Sequence, residues 1–165
     1  MTQSTDPSTM RRVLGHFPSG VTIVTGTTPE GPHGFTCQSF ASLSLDPPLV
    51  LVLPGRSSSS WPKIEATGRF CVNVLAEGQQ ELSTAFARSG GDKFAGVAWA
   101  ASGLGSPVLQ GATAWIDCTL HDVHDGGDHL IVVGAVHDLG AAGETAPLVF
   151  HRGGYARTSP SAADE

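Results

Sequence analysis

The chain has 165 residues, a length typical of one domain that can bury a core without disulfides or a structural metal. Lysine and arginine number 9 against 15 aspartates and glutamates, and the net charge of −6 argues against a nucleic-acid-binding surface. Glycine (21) and proline (11) are frequent, which favours many short strands and turns over a helical bundle.

The sequence shows no sign of export or membrane insertion. No apolar run approaches the roughly 18 residues of a membrane span, and the polar first residues lack the features of a signal peptide. The three cysteines, Cys37, Cys71 and Cys118, are odd in number and far apart, so we expect free thiols rather than a disulfide framework or a cysteine zinc site. These features predict a cytoplasmic protein.

In chain order, the pattern predicts short helices among many strands. Asp6 and Pro7 form a helix start, and the apolar residues from Met10 to Phe17 repeat on one face of that helix. A serine cluster at 57–60 begins a second helix, and residues 79–88 form a third. Predicted strands cover residues 21–25, about 33–42, 49–53, 69–75, about 112–123, about 129–139 and 147–150. Residues 89–108 are expected to form a loop and residues 158–165 a disordered tail.

Two glycines within Asp125–Asp128 predict a tight hairpin between the two longest strands. Strands and helices do not alternate regularly and no linker is visible, so we expect residues 1–157 to form a single domain. A count of six or seven strands indicates a closed or partly closed antiparallel barrel with helices packed outside.

Several common catalytic motifs are missing from the sequence. It has no Gly-x-Gly-x-x-Gly after a predicted strand, no Gly-x-x-x-x-Gly-Lys-Ser/Thr loop and no Gly-x-Ser-x-Gly turn. These absences argue against a Rossmann cofactor site, a P-loop and a nucleophile elbow.

Three histidines, His121, His124 and His129, fall within nine residues and suggest a metal site. Residues three apart on a strand point to opposite faces, so His121 and His124 could share a metal only across a bulge, and no fourth ligand is suitably spaced. We therefore expect no metal, with His121 and His124 facing solvent. His129 differs, because it follows a Gly-Gly turn that would project it at the rim of the barrel.

Two polar stretches are candidates for ligand contacts. The hydroxyls and free N–H groups of Ser57–Ser60, at a predicted helix start, suit a phosphate; the alternative is a solvated serine-rich loop. Residues 34–44 are dense in small and hydroxyl side chains, which would let a flat ring approach the backbone. The alternative there is a barrel strand whose hydroxyls bond neighbouring backbone.

The ordered series of segments along the chain resembles the flavin reductase domain family. The matching segments are GVTIVT (20–25), GFTCQSF (34–40), SLSLDPPLV (42–50), FCVNVL (70–75), Asp92-Lys93-Phe94, Gly105-Ser106-Pro107, Gly127-Asp128-His129 and Pro147-Leu148. The resemblance covers residues 8–157. Within the family it is closest to reductase components of two-component flavin-dependent monooxygenases of the actinobacterial seco-steroid hydroxylase type.

The resemblance implies a mainly β fold, a six-stranded antiparallel split β-barrel of Greek-key type with short peripheral helices, usually as a homodimer. It also implies reduction of FMN or FAD by NADH or NADPH, after which the reduced flavin diffuses to a partner monooxygenase. Hydride transfer between two cofactors needs stacked rings rather than a side-chain nucleophile, so the missing catalytic motifs are expected.

Carried over position by position, the resemblance assigns four groups of contacts. Flavin-ring contacts fall on Thr36, Cys37, Gln38, Ser39, Phe40 and Ala41. Phosphate contacts fall on Gly55, Arg56, Ser57, Ser58, Ser59, Ser60 and Trp61, with Ser58 and Ser60 as the main donors. Lys93 and Phe94 match a further flavin-edge element, and His129, as the catalytic residue, and Tyr155 match the nicotinamide side. The alternative for His129 is a rim histidine bonded to its own turn.

Two alternatives stay open from the sequence. A split barrel could hold a flavin permanently for storage or sensing, without turnover. The serine-rich phosphate loop, whose local charges are Arg56 and Lys93, does not separate FMN from FAD, and no arginine cluster distinguishes NADPH from NADH.

Overall fold

One seven-stranded antiparallel sheet carries most of the structure, a computed structural model that describes residues 5–143 and 145–159. The helices are α1 (Pro7–Leu14), α2 (Trp61–Glu65) and α3 (Gln80–Ala87), the last preceded by a 3-10 turn at Glu77–Gln79. The strands are β1 (Ser19–Gly20), β2 (Thr22–Thr28), β3 (Gly31–Cys37), β4 (Phe40–Leu45), β5 (Pro48–Val52), β6 (Arg69–Val74), β7 (Trp99–Ala101), β8 (Pro107–Leu109), β9 (Ala114–Gly126), β10 (His129–Ala141), β11 (Val149–His151) and β12 (Gly154–Ala156).

The two edge strands of the large sheet are consecutive in the chain. The order across the sheet is β3-β2-β6-β9-β10-β5-β4, and every pairing is antiparallel. Only Gln38 and Ser39 separate the end of β3 from the start of β4. The sheet therefore curls until its edges meet at this link, although β3 and β4, both described in full, form no ladder with each other. We call this junction, with the strand ends beside it, the seam.

The mainly β, antiparallel fold class predicted from the sequence is confirmed, and the open seam is consistent with a split barrel. The predicted strand at 33–42 breaks at Gln38–Ser39, so the sheet has seven strands instead of six. The predicted loop at 89–108 contains β7, which pairs with β8 in a small hairpin. The predicted tail lies outside the described residues from 160 onward, and a single domain over residues 1–157 stays a prediction.

The hairpin predicted at Asp125–Asp128 is confirmed. Strands β9 and β10 pair along their lengths, and Gly126 faces His129 across the turn. Gly127 has a φ of +81°, a conformation that glycine adopts without the steric cost of a side chain. The turn thereby fixes His129 at the first position of β10.

Hydrophobic side chains cover both faces of the central strands. On one face a cluster joins the strands of the large sheet to Trp61 and Ile64 of α2. On the other face a second cluster includes Ile23 of β2, Phe86 of α3 and Phe94. Because β2 is buried on both faces, its sequence lacks the alternation of a half-exposed strand.

Helix α1 starts where the sequence predicts, but its apolar face is uncovered. Oδ1 of Asp6 accepts the N–H groups of Ser8 at 3.0 Å and Thr9 at 3.1 Å, the usual arrangement of a helix N-cap. The exposed large apolar residues are Met10, Val13, Leu14, Phe17, Leu43, Leu45, Trp99 and Leu139. No helix in the described part of the chain is long and apolar enough to cross a membrane.

Candidate functional site

A groove of about 850 Å³ lies along the seam, and we call it the seam groove. Four residues predicted to contact a flavin ring line it: Gln38, Ser39, Phe40 and Ala41. Leu51 and Leu53 add apolar surface to the lining. The groove therefore combines apolar side chains with the backbone groups of two sheet edges, which suits a flat ring with a polar rim.

Residues from α1 and from the turn between β11 and β12 also line the seam groove, and sequence reasoning missed them. They include Arg11, Leu14, Phe17 and Arg152. The N–H of Arg152, whose φ is +52°, donates to the carbonyl of Gly15 at 2.9 Å and fixes this turn to the end of α1. The sequence contained only weak indications that these residues line a cavity. Arg152 precedes two glycines, and Arg11 belongs to an arginine pair in a chain with few basic residues.

Thr36 and Cys37 adjoin the seam, but their side chains are engaged elsewhere. The Thr36 hydroxyl donates to the carbonyl of Ser83 in α3 at 2.6 Å. Cys37 is packed in the core, and burial raises the pKa of its thiol, so it stays neutral. Any contact of these two residues with a ligand would therefore come from the backbone.

The segment that follows β5 is bonded to both the seam and the β9–β10 hairpin. The N–H of Leu53 donates to the carbonyl of Ser39 at 3.1 Å. Gly55 forms an isolated β-bridge with His129. Three predicted segments thus come together, namely the seam, the loop at residues 55–61, which we call the phosphate loop, and the hairpin that carries His129.

His129 lies between its own turn and the phosphate loop. Its Nδ1 is 2.7 Å from Oδ1 of Asp128, and its Nε2 faces Gly55, where an added Cβ atom would be 3.7 Å away. The hydrogen bond from His129 lowers the pKa of the Asp128 carboxyl, so a carboxylate stands beside Nδ1. This favours a proton on Nδ1 and leaves Nε2 for a ligand. A histidine with a purely structural role would make the same bond to Asp128, so the catalytic assignment stays a prediction.

Arg56, predicted to contact phosphate, is directed to the hairpin instead. Its Nε donates to the carbonyl of Gly127 at 2.8 Å, and its Nη2 donates to Oδ1 of Asp125 at 2.6 Å. The hydrogen bond from Arg56 in turn lowers the pKa of Asp125, which is therefore ionised at neutral pH. A phosphate would have to compete with this carboxylate for the guanidinium.

A second pocket, of about 510 Å³, lies at the start of β3, and we call it the lysine pocket. The predicted residues Ser59, Ser60, Lys93 and Phe94 line it, as do His33 and Lys63, which sequence reasoning missed. Among the described residues, neither of the two lysines takes part in an ion pair. The pocket therefore offers two ammonium groups and two serine hydroxyls to an anion.

Lys93 is the more firmly held of the two lysines. Its Nζ donates to the carbonyls of Gly34 at 3.2 Å and Phe86 at 3.1 Å, which leaves one of its three protons for a ligand. Partial burial lowers the pKa of Lys93, because the charged form loses hydration. The ring of Phe94 packs edge-on against Phe86, whose carbonyl accepts the Lys93 ammonium.

The lysine pocket also contains other titratable groups, namely His33 and the carboxyl groups of Glu30 and Asp92. Burial, and secondly the charge of Lys63, lower the pKa of His33 against an opposing effect of Glu30, so His33 is neutral at pH 7. Asp92 also lines the pocket, and its Oδ1 accepts the N–H of Phe94 at 3.0 Å. The two lysines are therefore the cationic groups of a pocket that also contains two carboxyl groups.

The serines of the cluster at 57–60 do not share one environment. Ser58 supports the start of α2, whereas Ser59 and Ser60 line the lysine pocket. Oγ of Ser58 accepts the N–H of Trp61 at 3.1 Å. The Trp61 side chain is buried in the core, so the predicted phosphate contact of Trp61 cannot involve its ring. Helix α2 has only five residues, and its dipole adds little to anion binding. Phosphate binding would thus depend on Ser59, Ser60 and the lysines, while Ser57 is exposed and lines neither cavity.

Tyr155 lies behind the seam groove rather than in its lining. Its ring packs edge-on against Phe150, with the ring centroids 5.4 Å apart, and Phe150 lines the groove. The Tyr155 hydroxyl is bonded to Ser83 in α3. Tyr155 is therefore not part of the groove wall, and its predicted contact with the nicotinamide stays a prediction.

His121 and His124 do not lie on a regular strand, contrary to the expectation from the sequence. Asp122 pairs with Val133 and Leu120 pairs with Gly134, so His121 is the extra residue of a β-bulge and simple alternation fails there. Nε2 of His124 lies 3.3 Å from the Asp122 carboxylate. Within residues 5–143 and 145–159, no three His, Cys, Asp or Glu side chains are grouped as metal ligands would be.

The two cavities fit a flavin nucleotide. Its ring requires an apolar slot with backbone donors and acceptors at the rim, and the seam groove has both. Its phosphate requires cations and hydroxyls, which the lysine pocket provides. Lys93 in particular is a partly buried ammonium that keeps a free proton and has no carboxylate partner in the described chain, so an anion would complete its coordination.

Comparison with known proteins agrees with this fit. The profile of the Flavin reductase like domain matches residues 14–159. The flavin-dependent monooxygenase reductase subunit HsaB of Mycobacterium tuberculosis is 52% identical over 162 residues, which are 97% of this chain and 87% of that protein. A crystal structure of nitrilotriacetate monooxygenase component B from Mycobacterium thermoresistibile superimposes with a TM-score of 0.90 at 55% identity, over 93% of this chain and 87% of the other.

A more distant solved structure bears on the ligands. The NADH:FAD oxidoreductase SgcE6 of Streptomyces globisporus, in complex with NAD and FAD fragments, has a TM-score of 0.90 at 36% identity, over 98% of this chain and 99% of that chain. The sequence profile, the curated relative and both structures agree with the resemblance noted above. The chain belongs to the flavin reductase like domain family and is a flavin reductase.

Proposed function

We propose that the seam groove holds the flavin ring together with the nicotinamide, and that the lysine pocket holds the flavin phosphate. Both cavities border β3, the first at its end and the second at its start. Gly34 and Gln38 are four residues apart, so about 13 Å of strand separates the two cavities. The observation that carries the proposal is the placement, along one sheet edge, of an apolar groove and a pocket that holds two lysines and two serines.

In this arrangement the protein catalyses reduction of FMN or FAD by NADH or NADPH, and the reduced flavin passes to a partner flavin-dependent monooxygenase. HsaB is a reductase subunit of such a monooxygenase, and SgcE6 is an NADH:FAD oxidoreductase. Flavin and nicotinamide supply the hydride-transfer chemistry when bound. The chain's own task is to bind and orient both, which requires no nucleophilic side chain.

Each part of the site has a separate task. Backbone groups of residues 36–41 meet the polar rim of the flavin ring, while Phe40 and its apolar neighbours exclude water from the groove. Lys93 and Ser60 bind the phosphate. His129 binds the nicotinamide nucleotide through Nε2 and orients it, and Asp128 holds Nδ1.

We also propose a homodimer formed through the uncovered apolar surface. Leu14 and Phe17 are 64% and 82% exposed, and Leu45 on the edge strand β4 is 90% exposed. Leu14 and Phe17 also line the seam groove together, and exposed apolar residues grouped in this way mark an interaction surface. The occupant is a second copy of the chain, because a two-fold axis lets one patch serve both subunits and the family resemblance implies this state.

Light scattering tests the dimer. The wild-type protein is expected at twice the chain mass of 17.0 kDa at micromolar concentration. Replacing Phe17 and Leu45 together with serine should shift the particle to a single chain, because both side chains would lose their apolar partners. A wild-type particle of one chain mass would contradict the proposal.

A cytoplasmic location is proposed on the state of the thiols. All three cysteines are free and buried, as is usual in proteins of a reducing compartment. Fractionation of cells that express the chain tests this, and recovery from the periplasm or medium would contradict it.

Stopped-flow absorbance tests the proposed reaction. FMN or FAD mixed with the protein and NADH or NADPH under anaerobic conditions should lose its oxidised absorbance over repeated turnovers. Free flavin in excess should be reduced as well, since the product is released. Flavin that stays bound through purification and is not reduced by either nucleotide would instead indicate storage or sensing and overturn the proposal.

A further inference from the structure

We propose that Arg56 is a positioning residue that locks the β9–β10 hairpin onto the phosphate loop and thereby fixes the position of His129 beside Gly55. This inference rests on the proposed role of His129. It assigns to Arg56 a task different from phosphate binding, the role that the family resemblance implies.

Arg56 joins the two segments through both its backbone and its side chain. Its N–H donates to the carbonyl of Asp128 at 2.9 Å. Its guanidinium reaches the carbonyl of Gly127 at 2.8 Å and the carboxylate of Asp125 at 2.6 Å. Three of the four residues at 125–128, which precede β10, are therefore bonded to Arg56.

The turn is closed on itself by the same carboxylate. Oδ1 of Asp125 also accepts the N–H of Gly127 at 3.1 Å. Gly127 thus donates to Asp125 and accepts from Arg56, so both polar groups of its backbone are fixed. The hairpin tip can rotate away from the phosphate loop only if the ring of bonds formed by Arg56, Asp125 and Gly127 breaks.

The position of His129 depends on these hydrogen bonds among Arg56, Asp125 and Gly127. His129 follows the turn directly and bridges to Gly55, next to Arg56. A Cβ atom added at Gly55 would lie 3.7 Å from Nε2 of His129, an ordinary contact distance, so the imidazole lies beside Gly55 with its Nε2 still accessible to a ligand. A change in the spacing between the hairpin and the phosphate loop would therefore move the imidazole as well.

The ion pair between Arg56 and Asp125 is exposed, which allows a positioning role to be distinguished from a role in stability. The side chains of Arg56 and Asp125 are 49% and 80% exposed. Pairs this exposed contribute little to the stability of a fold, because solvent screens them. Loss of the pair should therefore leave the melting temperature near the wild-type value while it changes the geometry at His129.

The test compares Arg56→Gln with Asp125→Asn. Both should raise the Michaelis constant for NADH about three- to tenfold, with flavin affinity within twofold of wild type. In the His129→Ala background, neither change should have a further effect on NADH. The matched control is Asp122→Asn, since Asp122 lies on the same hairpin but contacts His124 and its neighbour's N–H rather than Arg56.

The two variants also separate the roles of Arg56. If Arg56 binds phosphate, Arg56→Gln weakens flavin binding and Asp125→Asn does not, which overturns the proposal. If NADH kinetics are unchanged in both variants while wild-type turnover is normal, the positioning role is wrong and the proposed function stands. A melting temperature lowered by many degrees in either variant also overturns it.

Hydrogen exchange provides a readout that does not depend on activity. The backbone amides of His129 and Leu130 should exchange faster in Arg56→Gln and Asp125→Asn than in wild type or Asp122→Asn, because the hairpin tip is released. Unchanged exchange rates would show that Arg56 does not hold the hairpin, even if the wild-type protein lacked NADH turnover. The failure of this proposal can therefore be distinguished from the failure of the proposed function.

Discussion

The hydroxyl of Tyr155 donates a hydrogen bond to Oγ of Ser83 at 2.9 Å and ties the last strand of the described chain to α3. The carbonyl of Ser83 in turn accepts the hydroxyl of Thr36 at 2.6 Å. Ser83 is almost fully buried. The C-terminal strand β12 is thus linked, through one buried serine, to the strand that forms one side of the seam.

Tyr155→Phe should lower the free energy of unfolding by about 1 kcal/mol, because Oγ of Ser83 loses its main partner. For a chain of this size that corresponds to a fall of about 2–4 °C in melting temperature. The Michaelis constant for NADH should stay within twofold, since the ring remains against Phe150. Calorimetry and steady-state kinetics test this. An unchanged melting temperature with a raised Michaelis constant would place the hydroxyl on the nicotinamide instead.

His129→Ala should leave flavin affinity nearly intact, because the proposed flavin contacts lie in the seam groove and the lysine pocket. The Michaelis constant for NADH should rise, or the hydride step should slow, by about tenfold, equivalent to about 1.4 kcal/mol. Stopped-flow kinetics with each substrate varied separately tests the selectivity. Wild-type values for both substrates would make His129 a simple turn residue, and loss of the fold would make its role structural.

Replacing Ser58 and Ser60 together with alanine should weaken flavin binding at least tenfold, because a hydroxyl bonded to a charged phosphate contributes about 1.5–3 kcal/mol. The structure assigns most of this loss to Ser60, which lines the lysine pocket. Ser58 instead accepts the N–H of Trp61, so Ser58→Ala alone should mainly reduce stability, by about 1 kcal/mol. Flavin fluorescence titration and thermal melts separate the two effects. Unchanged affinity in the double variant would locate the phosphate elsewhere.

Flavin affinity should fall as pH rises through the pKa of Lys93. Burial lowers this pKa from its ordinary value of 10.5, and only the protonated ammonium attracts phosphate, so the loss should begin below pH 10.5. Lys93→Met should bind flavin about tenfold more weakly at pH 7 and lack this additional alkaline loss. Lys93→Arg, which stays charged, should keep affinity at high pH. Identical pH profiles for wild type and Lys93→Met would show that Lys93 does not contact the phosphate.

Features set by neighbouring residues were predictable from the sequence. The cap at Asp6 and the turn at Gly127 follow from the chemistry of those residues and the next few. The break at Gln38–Ser39 was not predictable, because residues 33–42 contain no proline and no interior signal for a strand end. What ends β3 there is tertiary: β3 pairs with β2 and β4 pairs with β5, at opposite edges of the sheet.

The site was predictable to the extent that its members are close in sequence. Resemblance identified Gln38–Ala41, which line the seam groove, and Ser59 and Ser60, which line the lysine pocket. The contact of Arg56 with Asp125 was not predictable, because the two residues lie 69 positions apart in the chain, and its predicted contact with phosphate stays a prediction. Lys63 and Arg152 were missed for a similar reason, since a single basic residue gives no indication of the cavity it reaches.

The open seam also determines how the barrel can deform. All neighbouring strands in the large sheet are joined by ladder hydrogen bonds, which must break before those strands can move apart. At the seam the described edges are joined by a two-residue link and form no ladder with each other, so they can separate without the rupture of ladder hydrogen bonds. A flavin ring bound in the groove would contact both edges and would oppose their separation. Widening of the barrel and release of the flavin would then be one motion.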